Sequence, residues 1–493
     1  MDRNGLKVIV KTGFIGKRLS LIILSLISTV IAISITARSG SDTLLAKAVG
    51  SVPKAVEKLR DTSAAVKKTP PGKIAKPASS SSATSSSSAA SRVSSVPFST
   101  ASRAYSSGIS ETASSTYASV SSNTASAASS STSAAVPLPF SHPARIMVGY
   151  YGSWAAYSGF TPDKVSASGL TVLNYAFATI GTDLRIAAND SNIDYSNFSK
   201  LRALKSAYPS LRTVISIGGW DGSQRFSDAA LTDASRIAFA DSVIAFIKTN
   251  GFDGVDIDWE YPTGGGLSTN VFRSVDKTNF GLLLKTLRAK LDRQGISDNK
   301  HYILSFAGEA SGSYAAGIGI ANIAQYVDYG MIMTYDIHGN WDTYTDFNAP
   351  LYIPSGISPQ YKTSVDSAVR SWLNYGFPAN KMVMGVPFYG YAYQGVPNGN
   401  NGLWQHYTSG AAVGYDTIQS RYAANSSFTK FYDSAAMVPW LFNGSTFVSY
   451  DDTSSIRQKA QYAVSKNLLG VGAWELSFDR SGTLLRTVRT ALG

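Results

Sequence analysis

The chain has 493 residues, no cysteine, and 44 Lys and Arg against 32 Asp and Glu, for a formal net charge of +12. At roughly 100–200 residues per domain, that length means several domains or one large α/β barrel with extensions. The missing cysteine excludes disulfide scaffolds, zinc ribbons, iron–sulfur clusters and a thiol nucleophile.

The basic charge is confined to the N-terminal part. Residues 1–141 hold 16 basic and 5 acidic side chains, while the remainder holds 28 and 27. A nearly neutral remainder offers no basic groove, so no nucleic-acid partner is expected. Residues 1–18, with Arg3, Lys7, Lys11, Lys17 and Arg18, form a basic leader that would stay in the cytoplasm. Residues 19–37 are an uncharged apolar run. A membrane span needs about 20 residues and a secretory core about 7–15. The run reads first as an uncleaved signal anchor in a membrane, and alternatively as a signal peptide cut near Ala37. Either reading puts the rest outside the cytosol, at the cell wall or beyond, with the anchored form favoured over the secreted one. Residues 38–143 are Lys-rich and then Ser/Thr-rich, with 26 Ser among the 57 residues 79–135. Such a stretch lacks the apolar surface to offset its ordering entropy, so a disordered stalk is expected.

Residues 144–493 change character. Apolar, β-branched runs predict strands at Ile146–Tyr151, Thr171–Ala178, Arg212–Ile217, Gly254–Glu260, Tyr302–Ala307, Tyr329–Tyr335, Lys381–Pro387 and Leu469–Trp474. Amphipathic stretches lie between them, among them Asp233–Thr249 and Asp276–Leu291. Near-continuous apolar strands alternating with helices fit an α/β fold, a (β/α)8 TIM barrel. A doubly wound sheet is the alternative, but no Gly-rich phosphate turn follows Tyr151. The connection after the seventh strand is too long for a barrel loop, so residues 391–449 are expected to form a small α+β insertion between strands 7 and 8. Sequons at Asn189, Asn197, Asn425 and Asn443 would suit surface loops of a glycoprotein.

The most informative segment is Phe252-Asp253-Gly254-Val255-Asp256-Ile257-Asp258-Trp259-Glu260-Tyr261-Pro262. Strand period two puts Asp256, Asp258 and Glu260 on one face, and Val255, Ile257 and Trp259 on the other. Carboxylates crowded on one side of a buried strand cannot all ionise cheaply, so at least one pKa rises and an acid stays protonated near neutral pH. Glu260 lies at the C-terminal end, where barrel active sites open. Asp253 has the opposite parity and is expected to support the turn entering the strand.

This segment resembles the signature of family 18 glycoside hydrolases, the chitinases. Further stretches resemble the family in chain order: Gly149-Tyr150-Tyr151 with Trp154, Asn174-Tyr175-Ala176-Phe177, Ser216-Ile217-Gly218-Gly219-Trp220, Met333-Thr334-Tyr335-Asp336, Tyr450-Asp451-Asp452 and Gly472-Ala473-Trp474. The resemblance implies hydrolysis of β-1,4 links in chitin or chitooligosaccharides with retention, by attack of the substrate's own N-acetyl oxygen. It makes Glu260 the general acid/base, and Asp258 the partner of the acetamido N–H. Asp256 tunes Asp258, and Tyr335 steers the acetyl oxygen. It makes Tyr150, Phe177, Trp220, Tyr261, Met333, Asp336, Trp341, Tyr389 and Trp474 candidates for sugar binding, with Trp474 as the floor. Gly218 and Gly219 read as small residues that let the backbone pass the acidic strand. No metal and no cofactor is implied, and a monomer is expected. Two departures stand out. Tyr391 occupies a place where family members often carry Arg, and Glu309 puts a charge where they are more often apolar.

Overall fold

The computed structural model describes residues 136–493, apart from Ile357 and Tyr361. The basic leader, the apolar run 19–37 and most of the stalk lie outside the described residues. Among the described residues no helix is long and apolar enough to cross a membrane.

In chain order the strands are β1 (Ile146–Gly152), β2 (Val172–Ile180), β3 (Ile186–Ala188), β4 (Arg212–Gly218), β5 (Gly254–Asp258), β6 (Ile303–Glu309), β7 (Tyr329–Met333), β8 (Met382–Pro387), β9 (Tyr389–Gln394), β10 (Ser409–Gly414), β11 (Thr429–Asp433), β12 (Val438–Phe442), β13 (Thr446–Ser449) and β14 (Gly470–Trp474). Strands β1, β2, β4, β5, β6, β7, β8 and β14 pair in parallel, and β1 pairs with both β2 and β14. That last pairing closes the sheet into the expected eight-stranded TIM barrel. Strand β3, absent from the sequence reading, is a three-residue antiparallel extension of β2.

The period-two pattern sorts each strand into two faces. Val148, Tyr150, Val214, Ile303 and Met331 fill the barrel interior. Tyr151, Ile215, Val255, Ile257 and Phe306 face outward into the layer beneath the helices. The helix Asp233–Asn250 begins with a capping box at Thr232 and Ser235 and ends at Gly251, whose φ is +79°. The helix at Asp276 runs past Leu291 to Asp298.

The insertion is a five-stranded antiparallel sheet in the order β10-β9-β13-β12-β11. It starts at Tyr389, earlier than the expected Tyr391, because Tyr389 already pairs with β10. Tyr393, Trp440 and Phe447 anchor its core. The sequon Asn197 does not lie on a surface loop. It is buried in the helix Asp194–Ala207 and donates to the Tyr175 hydroxyl at 3.0 Å. Asn189, Asn425 and Asn443 are exposed.

Candidate active site

Strand β5 ends at Asp258, two residues before the expected Glu260. Beyond that point the loop after β4 takes over the pairing. Gly219 N and Ser223 Oγ both donate to Asp258 O, at 2.8 and 3.1 Å, and Glu260 N donates to Ser223 Oγ at 2.9 Å. The close approach explains the two glycines. A Cβ on Gly218, whose φ is +106°, would stand 2.3 Å from Asp258 O. On Gly219, at φ +73°, it would stand 2.5 Å from the Phe177 ring. At the other end of β5, Asp253 accepts from Lys205 Nζ at 2.8 Å and from Thr213 N at 2.9 Å, tying the strand entry to β4.

The two faces of β5 separate as the period of two predicts. Val255, Ile257 and Trp259 pack into the outer layer, and Trp259 stacks on Phe226 at 5.3 Å. Asp256 lies fully buried in the barrel interior. Its Oδ2 accepts from Tyr150 at 2.9 Å and Ser216 at 2.8 Å, and its Oδ1 accepts from Ser305 at 2.6 Å. Ser216 and Ser305 are its cross-strand partners on β4 and β6. Burial raises the Asp256 pKa in spite of these three donors.

Asp258 is also buried, and its Oδ1 has no hydrogen-bond partner. Burial, then the charges of Glu260 and Asp256, push its pKa well above the usual range. Burial raises Glu260 to about 7, with Asp336 and Asp221 adding to the rise. The three carboxyls thus differ in surroundings. One is saturated with donors, one is short of a donor, and one faces the opening.

A cleft of about 740 Å³ opens over Glu260. Phe177, Trp220, Tyr261, Met333, Tyr335, Asp336 and Trp474 all line it, as the sequence reading expects. Trp474 ends β14, stacks on Phe177 at 5.7 Å and packs against Tyr150 at 5.5 Å. Burial and the charges of Asp258 and Asp336 keep Tyr335 a neutral phenol. Met333 ends β7, so Tyr335 lies past the strand it was assigned to, in a turn where Asp336 takes φ +54°. Asp336 Oδ1 accepts from Tyr389 at 2.5 Å and from Tyr391 at 2.7 Å. Tyr391 therefore supplies a hydrogen bond to Asp336 without a positive charge.

Three candidates sit off the cleft wall. Tyr150 is buried beneath it, bound to Asp256. Tyr389 is buried behind Asp336. Trp341 is 58% exposed at the rim and packs edge-on against Tyr391 at 5.6 Å. The cleft also includes Trp154, Asp221, Glu309, Ser311 and Ser371. Trp154 carries a signal, since it follows the first strand closely. Asp221 and Ser311 carry none, because loop positions have no periodicity to read, and Ser371 is a polar helix position that no local pattern marks.

The comparisons with known proteins agree with this geometry. The family described as Glycosyl hydrolases family 18 matches residues 146–479. Chitinase A1 of Niallia circulans is 38% identical over 410 residues, covering 70% of this chain and 58% of its own. Chitotriosidase-1 of Mus musculus is 33% identical over 345 residues, covering 68% of this chain and 73% of its own. The chain thus spans little more than half the length of the first relative. A family 18 N-acetylglucosaminidase from Paenibacillus barengoltzii has a structure similar at TM-score 0.65 and 35% identity, covering 71% of this chain and all of that one. The Ostrinia furnacalis Group IV chitinase, solved in complex with allosamidin, is similar at TM-score 0.66 and 34% identity, covering 71% of this chain and 98% of that one. A parallel barrel carrying this acidic strand under an aromatic cleft, with these matches, makes the chain a member of glycoside hydrolase family 18.

Proposed function

We propose that the chain is a chitinase, favouring internal bonds. It would hydrolyse β-1,4-N-acetylglucosamine linkages with retention by a substrate-assisted mechanism. The observation that carries this reading is the pairing of Glu260, near neutral pKa at the cleft, with Asp258, whose Oδ1 lacks a donor. The missing donor is what an acetamido N–H provides. With that N–H held, the acetyl oxygen of the bound sugar attacks its own anomeric carbon. Glu260 gives its proton to the leaving glycosidic oxygen, and the C–O bond breaks. The resulting oxazolinium is positive, and Asp258, charged in that state, stabilises it. Water then adds to the anomeric carbon and returns a proton to Glu260. Tyr335 donates to the acetyl oxygen, and Trp474 lies under the apolar face of the ring.

The usual retaining glycosidase has a second carboxylate as nucleophile about 5 Å from the acid. The relatives' printed names support the N-acetylated substrate instead, since two are chitinases and one is an N-acetylglucosaminidase. An extracytoplasmic location belongs to the same proposal, resting on the basic leader and the apolar run 19–37.

The test is incubation with chitin oligomers of defined length, with product anomers and lengths resolved. Retained β-anomers from internal bonds support the reading. Release of single sugars from one end would replace the endo preference, and inverted products would sink the mechanism. Binding without cleavage would make the protein a lectin. Glycan release from a glycoprotein, without chitin cleavage, would make it an endo-N-acetylglucosaminidase.

A further inference from the structure

The charge in the cleft is one-sided. Asp221, Asp258, Glu260, Glu309 and Asp336 line it, and among the described residues no Lys, Arg or His does. Tyr391 adds to this imbalance, since it binds Asp336 as a neutral phenol. The reaction proposed above uses Asp258 and Glu260, and has no task for Glu309.

Glu309 is the last residue of β6, in register with Met333 on β7. It is half-buried, and its carboxylate makes no hydrogen bond or ion pair among the described residues. Its charge faces the phenols of Tyr261 and Tyr314. Hydroxyl-bearing residues line the same cleft. Ser311 caps the short helix Gly312–Gly317, and Ser367 and Ser371 lie on the helix Val365–Asn374. One carboxylate among neutral hydroxyl oxygens is an acceptor set for a primary ammonium, which has three N–H donors and no acceptor. The unpartnered Oδ1 of Asp258 in the same cleft is open to a further donor from a ligand.

We propose that Glu309 is a specificity residue for partly deacetylated chitin. It binds the free ammonium of a glucosamine unit in the cleft beside the reacting sugar. This inference rests on the chitinase reading, because the reacting sugar must keep its acetyl group while its neighbour does not. A fully acetylated chain is neutral and gains no charge-assisted bond from Glu309. The ammonium does gain one, and an adjacent carboxylate favours its charged form.

The test compares the full-length enzyme with Glu309→Gln and Glu309→Asp. The substrates are the fully acetylated chitin hexamer and chitin about half deacetylated. The quantity read is the ratio of kcat/KM on the deacetylated substrate to that on the hexamer. A lost charge-assisted bond predicts a ratio about tenfold lower in Glu309→Gln, with partial recovery in Glu309→Asp. Raising the salt to about 1 M should lower the wild-type ratio and leave that of Glu309→Gln nearly constant. Equal ratios in wild type and Glu309→Gln, with the hexamer cleaved by both, would overturn the role of Glu309 alone. A wild-type enzyme that leaves the hexamer intact would overturn the chitinase reading, and this inference with it.

Discussion

The hydroxyl of Tyr150 donates to Oδ2 of Asp256 at 2.9 Å, from β1 across the barrel interior to β5. With Ser216 and Ser305 it completes the ring of donors around the buried carboxylate. Tyr150→Phe removes one donor and keeps the ring volume. The Asp256 pKa then rises further, because burial already raises it and one opposing bond is gone. The proposed reaction uses Asp256 to balance Asp258, so activity that appears as Asp256 ionises should appear at higher pH. The acidic limb of the kcat profile is expected to shift upward, with kcat reduced about tenfold. An unchanged limb would separate Tyr150 from the acid cluster.

Glu260→Gln removes the side chain proposed to protonate the leaving oxygen. General acid catalysis is worth about 10²–10⁴-fold, so kcat should fall by at least that range. Binding of a chitin oligomer, followed by tryptophan fluorescence, should survive. Turnover near wild type would refute the assignment.

The pH dependence follows from the same group. Burial, and then Asp336 and Asp221, raise Glu260 to about 7. The acid must carry its proton to donate it, so kcat/KM is expected to fall as pH rises through about 7. Asp336→Asn removes one of the raising charges. The Glu260 pKa then drops, and the descending limb should move to lower pH even if the overall rate also falls. A limb that moves upward would contradict the electrostatic account.

Gly218→Ala tests the contact between β4 and β5. A methyl group would meet Asp258 O at 2.3 Å, at a φ of +106° that side chains rarely adopt. A strained backbone of this kind costs about 1–3 kcal/mol. Thermal unfolding should shift down, and kcat should fall more than stability alone explains, because the displaced atom belongs to Asp258. A variant with wild-type melting and rate would remove the packing argument for this glycine.

Much of this was legible in the chain. Asp256 and Asp258 followed from period two, because Val255 and Ile257 demanded the helix side. The closure of the barrel followed from the strand count. Tyr150 was read as a cleft residue and lies below the cleft instead, since parity shows which face a side chain takes but not its depth along the axis. Ser216 and Ser305 were within reach of the same parity rule, as interior positions level with Asp256. Tyr335 and Glu260 extend past the ends of their strands, where loop contacts such as Ser223 with Glu260 N replace the ladder. Those contacts join residues far apart in sequence, and no local pattern encodes them. The buried Asn197 shows the same limit, because a sequon says nothing of the helix face it falls on.

The pairing of Gly149 with Ala473 joins the first barrel strand to the last. Trp474, which lines the cleft, is the last residue of that strand. The site is therefore finished only when β14 docks. A ribosome must have translated that segment and let it clear the exit tunnel before any bond can be cut, so the barrel stays silent while its first seven barrel strands are being made. A chain cut just before Gly470 would keep β1 and β8 but leave both as open edges, and is expected to be inert.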